Sequence, residues 1–158
     1  DPAFGSGYAD AEMKVFTPAY TDAYFFTEKE LFNQQHYPDN TAWKLGAGPK
    51  NKKDFFELPI LRVAALELEV RKFSPNDGIL KAKVNKAVNF SYTFNDKTEI
   101  TKVELGTGAR KRYTVKEIEF SFSAGVLSFS YKFDEENEYP LTVLVNGKEL
   151  MWYYVEIN

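Results

Sequence analysis

The chain has no cysteine. That absence excludes disulfides, thiolate metal sites and a thiol nucleophile together. Histidine is nearly as scarce, with His36 alone in 158 residues. One histidine without an evident carboxylate partner makes a poor catalytic triad and a poor zinc site. No run approaches the ~18–20 apolar residues that cross a bilayer as a helix. Strong charge of one sign is missing too. Lys+Arg number 20 and Asp+Glu 23, leaving a formal net charge of −3. That is too weak, and of the wrong sign, to draw a nucleic acid or an acidic membrane by bulk electrostatics. The split is mild by halves as well: 7 − 11 = −4 over residues 1–70 and 13 − 12 = +1 over residues 71–158. An initiating methionine is also absent, since the chain opens Asp1-Pro2-Ala3. The expectation is a processed chain whose targeting segment has been removed. The matching expectation is an extracellular, cell-surface or periplasmic location.

What the chain does have is aromatic side chains: 14 Phe, 10 Tyr and 2 Trp. Such residues suit half-buried pleated surfaces. A chain of this length buries on the order of two thirds of its unfolded surface. The alternation of apolar residues then assigns the strands. Val88, Phe90, Tyr92 and Phe94 keep a period of two. Ile118, Phe120 and Phe122 do so before Ser123-Ala124-Gly125, and Leu127, Phe129, Tyr131 and Phe133 after it. Serines at 121, 123, 128 and 130 fall on the opposite, polar side. Tyr113 and Val115 start a strand whose phase slips before Ile118, predicting a bulge or turn near Lys116-Glu117.

Asn146-Gly147 is the strongest hairpin signal, because a type I′ turn needs positive φ at both central residues. A two-residue loop sets Val145 opposite Lys148, Val143 opposite Leu150, Leu141 opposite Trp152 and Tyr139 opposite Tyr154. That register puts Trp152 in the core. Upstream, Leu66, Leu68 and Val70 alternate with Glu67, Glu69 and Arg71, predicting a strand that ends in the turn Ser74-Pro75-Asn76-Asp77-Gly78. About seven or eight short strands at this spacing predict a mainly β fold, an antiparallel sandwich.

Residues 1–57 read as an irregular, aromatic-rich segment that packs on the sandwich of residues 58–158. Thr27-Glu28-Lys29-Glu30 has the capping-box pattern and opens a helix over residues 28–36, stopped by Pro38. Residues 49–54 read as an exposed linker. Alternatively, residues 8–25 supply further strands.

From Phe73 onward the pattern resembles bacterial immunoglobulin-like domains of the E-set kind. The resemblance lies in Ser74-Pro75-Asn76-Asp77-Gly78, in Val88-Asn89-Phe90-Ser91-Tyr92-Thr93-Phe94 and in the closing Leu141-to-Ile157 hairpin. The Cys–Trp–Cys core of antibody domains is missing. The resemblance implies a module that spaces, presents or binds rather than catalyses, although fold alone does not dictate function.

Candidate chemistry is thin. His36 sits where a cation complements a helix C-terminus. Glu67 with Glu69, and Glu117 with Glu119, have the spacing of carboxylates on one strand face. Held at the right separation, such a pair hydrolyses glycosides, but it is also what any solvated sheet face looks like. Asp134-Glu135-Glu136-Asn137-Glu138 offers hard oxygen ligands, without the alternation or the glycine of a calcium loop. Gly106-Thr107-Gly108-Ala109-Arg110-Lys111-Arg112 joins a glycine turn to three cations, without phosphate-loop spacing. Asn89-Phe90-Ser91 matches a glycosylation sequon.

The aromatic surface carries the functional expectation. Trp43 is expected either to pin the N-terminal segment onto the sandwich or, with Tyr37 and Tyr24, to form a stacking set with Asn40 and Asp39 as its hydrogen-bonding neighbours. The expectation is a non-catalytic binding or spacer module of an exported or cell-surface bacterial protein, without cofactor, whose partner is a glycan or another protein. The alternatives are an assembly element that pairs through an edge strand, the final one being the candidate, and an enzyme acting on polysaccharides.

Overall fold

The computed structural model describes residues 7–9, 14–18, 27–95, 97–108 and 113–158. The period-two runs become strands of two antiparallel sheets. The smaller sheet has the order β4 (Lys72–Ser74), β6 (Ala87–Thr93), β10 (Val126–Lys132) and β9 (Ser121–Ser123). The larger has the order β3 (Ile60–Leu61), β12 (Lys148–Ile157), β11 (Asn137–Val145), β7 (Val103–Thr107) and β8 (Thr114–Glu117). β5 (Ile79–Ala82) runs parallel to the far half of β12, from Tyr154 to Ile157.

One sheet pairs β4 and β6 with the β9–β10 hairpin. The other pairs the β11–β12 hairpin with β7, and β5 joins β12. This is the four-plus-three arrangement of an immunoglobulin sandwich, with β8 added beside β7. The immunoglobulin-like expectation holds at that level. The pairing does not single out the bacterial E-set kind.

The inner faces interdigitate as aromatic layers. Phe90 and Phe129 are cross-strand partners with stacked rings 4.8 Å apart. Tyr153 of the opposite sheet meets Phe90 edge-on at 5.9 Å. Tyr92 and Tyr153 lie hydroxyl to hydroxyl at 3.1 Å, and the Tyr153 hydroxyl also donates to the Pro75 carbonyl at 3.2 Å. A buried phenol needs such a partner. Burial raises the pKa of both groups above the usual tyrosine value.

The two glycine turns form as read. Asn146 and Gly147 have φ of 51° and 77°, and Ala124 and Gly125 have 50° and 73°. The Asn146 side chain also accepts from the Thr101 and Lys102 amides and donates to the Glu99 carbonyl, tying the turn to the strand that enters β7. Val145 faces Lys148 as expected, but a bulge follows. Leu144 faces Glu149 and Val143 faces Met151, so Leu150 is the extra residue. From there the register differs from the sequence expectation by one: Leu141 faces Tyr153, Thr142 faces Trp152 and Tyr139 faces Val155. Leu150 and Met151 are therefore buried in succession, and Trp152 is only half-buried.

Four further expectations are corrected. The predicted strand at Leu66, Leu68 and Val70 is instead the short helix α3 (Val63–Glu67), which buries Ala64, Ala65 and Leu66. Three consecutive strong helix formers, none of them β-branched, favour a helix over an alternating strand. Glu69, at φ 50°, ends it. The presumed linker holds α2 (Lys52–Phe56), whose N-cap Asn51 accepts from the Asp54 amide at 2.9 Å. Helix α1 (Lys29–Gln35) has Glu28 rather than Thr27 as its N-cap, with no side-chain capping bond, so the capping box does not form. The phase slip near Lys116 marks a change of sheet: β8 ends in the larger sheet, Ile118 is buried, and β9 belongs to the smaller. Among residues 8–25, β1 (Gly7–Ala9) and β2 (Phe16–Pro18) form a hairpin that joins neither sheet.

Strand β12 is not an edge. β11 pairs with it on one side, and β3 and β5 on the other.

Candidate binding surface

Residues 27–61 form a helical cap beside the sandwich. Leu31 and Leu61 enter the common core, and the buried Asn33 side chain donates to the Ala47 carbonyl at 2.8 Å. Gln35 donates to the Leu61 carbonyl at 2.8 Å. The cap then meets the sandwich through backbone: the Gly78 amide donates to the Glu57 carbonyl at 2.7 Å, and within the sandwich the Tyr154 amide donates to the Gly78 carbonyl at 2.7 Å.

Four of the five expected contact residues lie on this cap. Trp43 ends a 3-10 turn over Thr41–Trp43 and is 75% exposed, so it does not anchor the segment to the core. Asn40 is the N-cap of that turn, and its Oδ1 accepts from the Ala42 amide at 3.0 Å. Asp39 takes the Lys52 ammonium at 2.7 Å, which holds its carboxyl below the usual carboxylate value. Tyr37 is half-buried; its hydroxyl donates to the Lys50 carbonyl at 3.3 Å and its ring tilts against Phe55 at 5.6 Å. The turn is thus tied down by its own polar groups, with the indole projecting from it. Tyr24 lies outside the described residues.

Large apolar side chains that the pattern did not single out are exposed on the same cap: Leu45 at 51%, Phe56 at 79% and Ile60 at 57%. Phe56 and Ile60 line one cleft of ≈ 440 Å³ with His36 and Phe55. The only signal was Phe55-Phe56 itself, which sits where a linker was expected.

The carboxylate pairs do not converge on a reaction centre. Glu67 binds Lys148 at 2.8 Å, and Glu69 accepts from the Asn95 amide group at 2.6 Å. Glu117 faces Glu104 across β7 and β8, and Lys102 answers it by pairing Glu104 at 2.7 Å. His36 is the C-cap of α1, with Nδ1 3.2 Å from the Phe32 carbonyl and its ring stacked on Phe32 at 4.2 Å. Among the described residues, no cluster of histidine and carboxylates has metal-binding geometry. Residues 109–112 of the glycine-cation loop lie outside the described residues. Asn89 of the sequon is exposed and accepts from Ser130 Oγ at 2.7 Å.

No protein-family model matches the chain. Over 55 residues, 35% of its length, it is 38% identical to "Kyphoscoliosis peptidase" from Mus musculus, and equally to that from Homo sapiens. It spans 8% of the length of these curated relatives. Among solved structures, the swine CD8aa homodimer overlaps 55% of this chain and 96% of that one, at 11% identity and a TM-score of 0.33. The M1 domain from titin overlaps 51% and 86%, at 13% identity and a TM-score of 0.27.

Proposed function

We propose that the chain is a non-catalytic binding or spacer module that engages another protein through the exposed face of its helical cap, with Trp43 as the main contact. One observation carries this reading: a 75% exposed indole stands on a turn held by its own hydrogen bonds. Tryptophan is the residue most enriched where interfaces concentrate their binding energy, and a preorganised support lowers the entropy of docking. Leu45 and Phe56 extend the apolar character of the cap.

A glycan is the second reading. It draws on the same indole beside Asn40 and Asp39. It is weaker because sugar recognition needs convergent polar groups, and the Asp39 carboxylate, the Asn40 Oδ1 and the Tyr37 hydroxyl each already have a partner within the cap. The matched segment is 8% of the length of those peptidases, so their activity does not extend to this chain. We read the matched 55 residues as a non-catalytic part of those proteins.

The test is selection from a random peptide library against the folded chain, alongside a titration with soluble polysaccharides followed by tryptophan fluorescence. The expected result is peptides whose affinity falls at least ~10-fold on Trp43→Ala, a hot-spot effect, and a flat polysaccharide response. A saturable glycan-induced blue shift abolished by Trp43→Ala, with peptides indifferent to that substitution, would replace the protein reading by the glycan one.

A further inference from the structure

A second surface of the cap, away from any aromatic stacking, carries an excess of positive charge. A cleft of ≈ 550 Å³ lies where the cap meets β4. Lys50 lines it from the cap side, and Arg71 and Lys72 from the sandwich side. Among the described residues none of the three is in an ion pair, although Asp54 lines the same cleft. Cations on an outer strand such as β4 discourage edge pairing, but that does not explain the approach of Lys50 from a different element. Three like charges gathered in one cleft, in a chain of net charge −3, repel one another. They also focus a positive field on the opening.

The opposite charge is found at the other end of the sandwich. Lys72 lies opposite Thr93, the last residue of β6. Lys132 lies opposite Ala87, the first. Just beyond Lys132, Asp134, Glu135 and Glu136 are all exposed and, among the described residues, form no ion pair. The carboxylates of Asp134 and Glu135 contribute to the raised pKa of Tyr139. Six residue steps of β6 separate the two ends by ~20 Å, too far for the acidic loop to reach the basic cleft of its own chain.

We infer that a second copy of this chain is the partner of that cleft: the acidic loop of one copy docks into the basic cleft of the next. Because the two surfaces differ and lie at opposite ends, the contact is heterologous and does not close on itself, so copies add end to end. The contact is polar, exposed and screened by salt. It therefore belongs to a weak, reversible assembly, consistent with a spacer that is repeated along a line. It is independent of Trp43 and of the protein-binding reading above, which a different substitution tests.

Sedimentation velocity of the whole chain decides the matter. At ~20 mM salt the weight-average mass should rise with concentration, and at ~0.5 M salt the association should weaken at least ~10-fold. Arg71→Glu with Lys72→Glu should leave the chain monomeric, as should Glu135→Lys with Glu136→Lys. Mixing these two variants should restore association, because each cleft again meets a loop of opposite sign. Arg71→Gln with Lys72→Gln removes the attraction without introducing new charge and guards against misfolding, which circular dichroism would reveal. A chain that stays monomeric at low salt and high concentration overturns the inference. So does association that neither charge reversal affects, or a mixture that fails to associate.

Discussion

In the sandwich, Phe90 lies flat on Phe129, Tyr153 closes on them from the facing sheet, and Val103, Leu127, Val143 and Val155 are wholly buried around them. Across residues 27–61 the anchors are of another kind: the Asn51 cap, the Asp39–Lys52 pair, the Tyr37 hydroxyl on Lys50 and the Asn33 side chain on Ala47. Leu31 and Leu61 are the apolar side chains of the cap that reach the core. One region is held by area removed from water, the other mainly by local polar contacts that leave its large apolar side chains outside. Burial stabilises by roughly 25 cal/mol per Å² of apolar surface, whereas an exposed ion pair contributes about 0–1 kcal/mol. The cap is thus the region expected to open first, and also the one with free apolar surface for a partner.

The largest expected effect that sharpens this contrast is at Phe90. Phe90→Ala removes a fully buried ring and its stacking partner's contact, and should lower the unfolding free energy by about 3–5 kcal/mol, read as a fall in the urea midpoint. A loss below about 1 kcal/mol would mean that the aromatic layer is not what holds the sheets together.

The next effect is at the seam, where the contrast can be broken. A Cβ on Gly78 would lie 2.5 Å from the Leu58 carbonyl oxygen, a backbone atom that cannot swing aside. Gly78→Ala should cost about 1–3 kcal/mol as overpacking. Amide exchange should accelerate at Gly78, whose hydrogen bond to the Glu57 carbonyl crosses the seam, while the Phe90 and Leu127 amides stay protected. Equal acceleration in both regions would show that cap and sandwich open as one unit.

The smallest effect at neutral pH comes from the tyrosines of the sandwich. Burial, with Tyr131, Asp134 and Glu135 nearby, pushes Tyr139 up to about 12. Tyr92 and Tyr153 are raised in the same direction. An unfolded tyrosine ionises near ~10. Above that pH the unfolded chain binds fewer protons than the folded one, so stability falls as pH rises. The contribution is whole below pH ~10 and is lost as the pH climbs through the folded value. Urea midpoints should therefore decline between pH ~10 and ~12, and more gently in Tyr139→Phe. An identical slope in the two proteins would remove Tyr139 from the account.

These regions were not equally legible. Wherever the turn chemistry was local, as at Asn146-Gly147 and Ala124-Gly125, the sequence reading and the structure agree, because positive φ is a property of the turn residues themselves. The β12 register failed one step beyond that turn. A bulge at Leu150 answers to packing on both faces, and two adjacent apolar residues, Leu150 and Met151, give no sign of which one is extra. The strand expected at residues 66–70 failed for a related reason: five residues satisfy a strand and a short helix about equally, and the burial of Ala64, Ala65 and Leu66 decided for the helix. In the candidate surface, Trp43, Asn40, Asp39 and Tyr37 were identified by residue type, but not the partners that tie three of them down. Phe56 and Ile60 went unnoticed because exposure is not written in a residue's identity.

By itself, the sequence determined the class of the molecule. Period-two aromatics, glycine turns and the absence of cysteine leave an antiparallel sandwich without thiol chemistry, since those features depend on residue type and on neighbours one or two positions away. Only the tertiary structure decided that β12 is enclosed by β3 and β5, that Trp43 faces solvent, and that Lys50 joins Arg71 and Lys72 across 21 residues of chain. The physical reason is that burial, register and the meeting of distant charges depend on how whole elements pack, which no local pattern encodes.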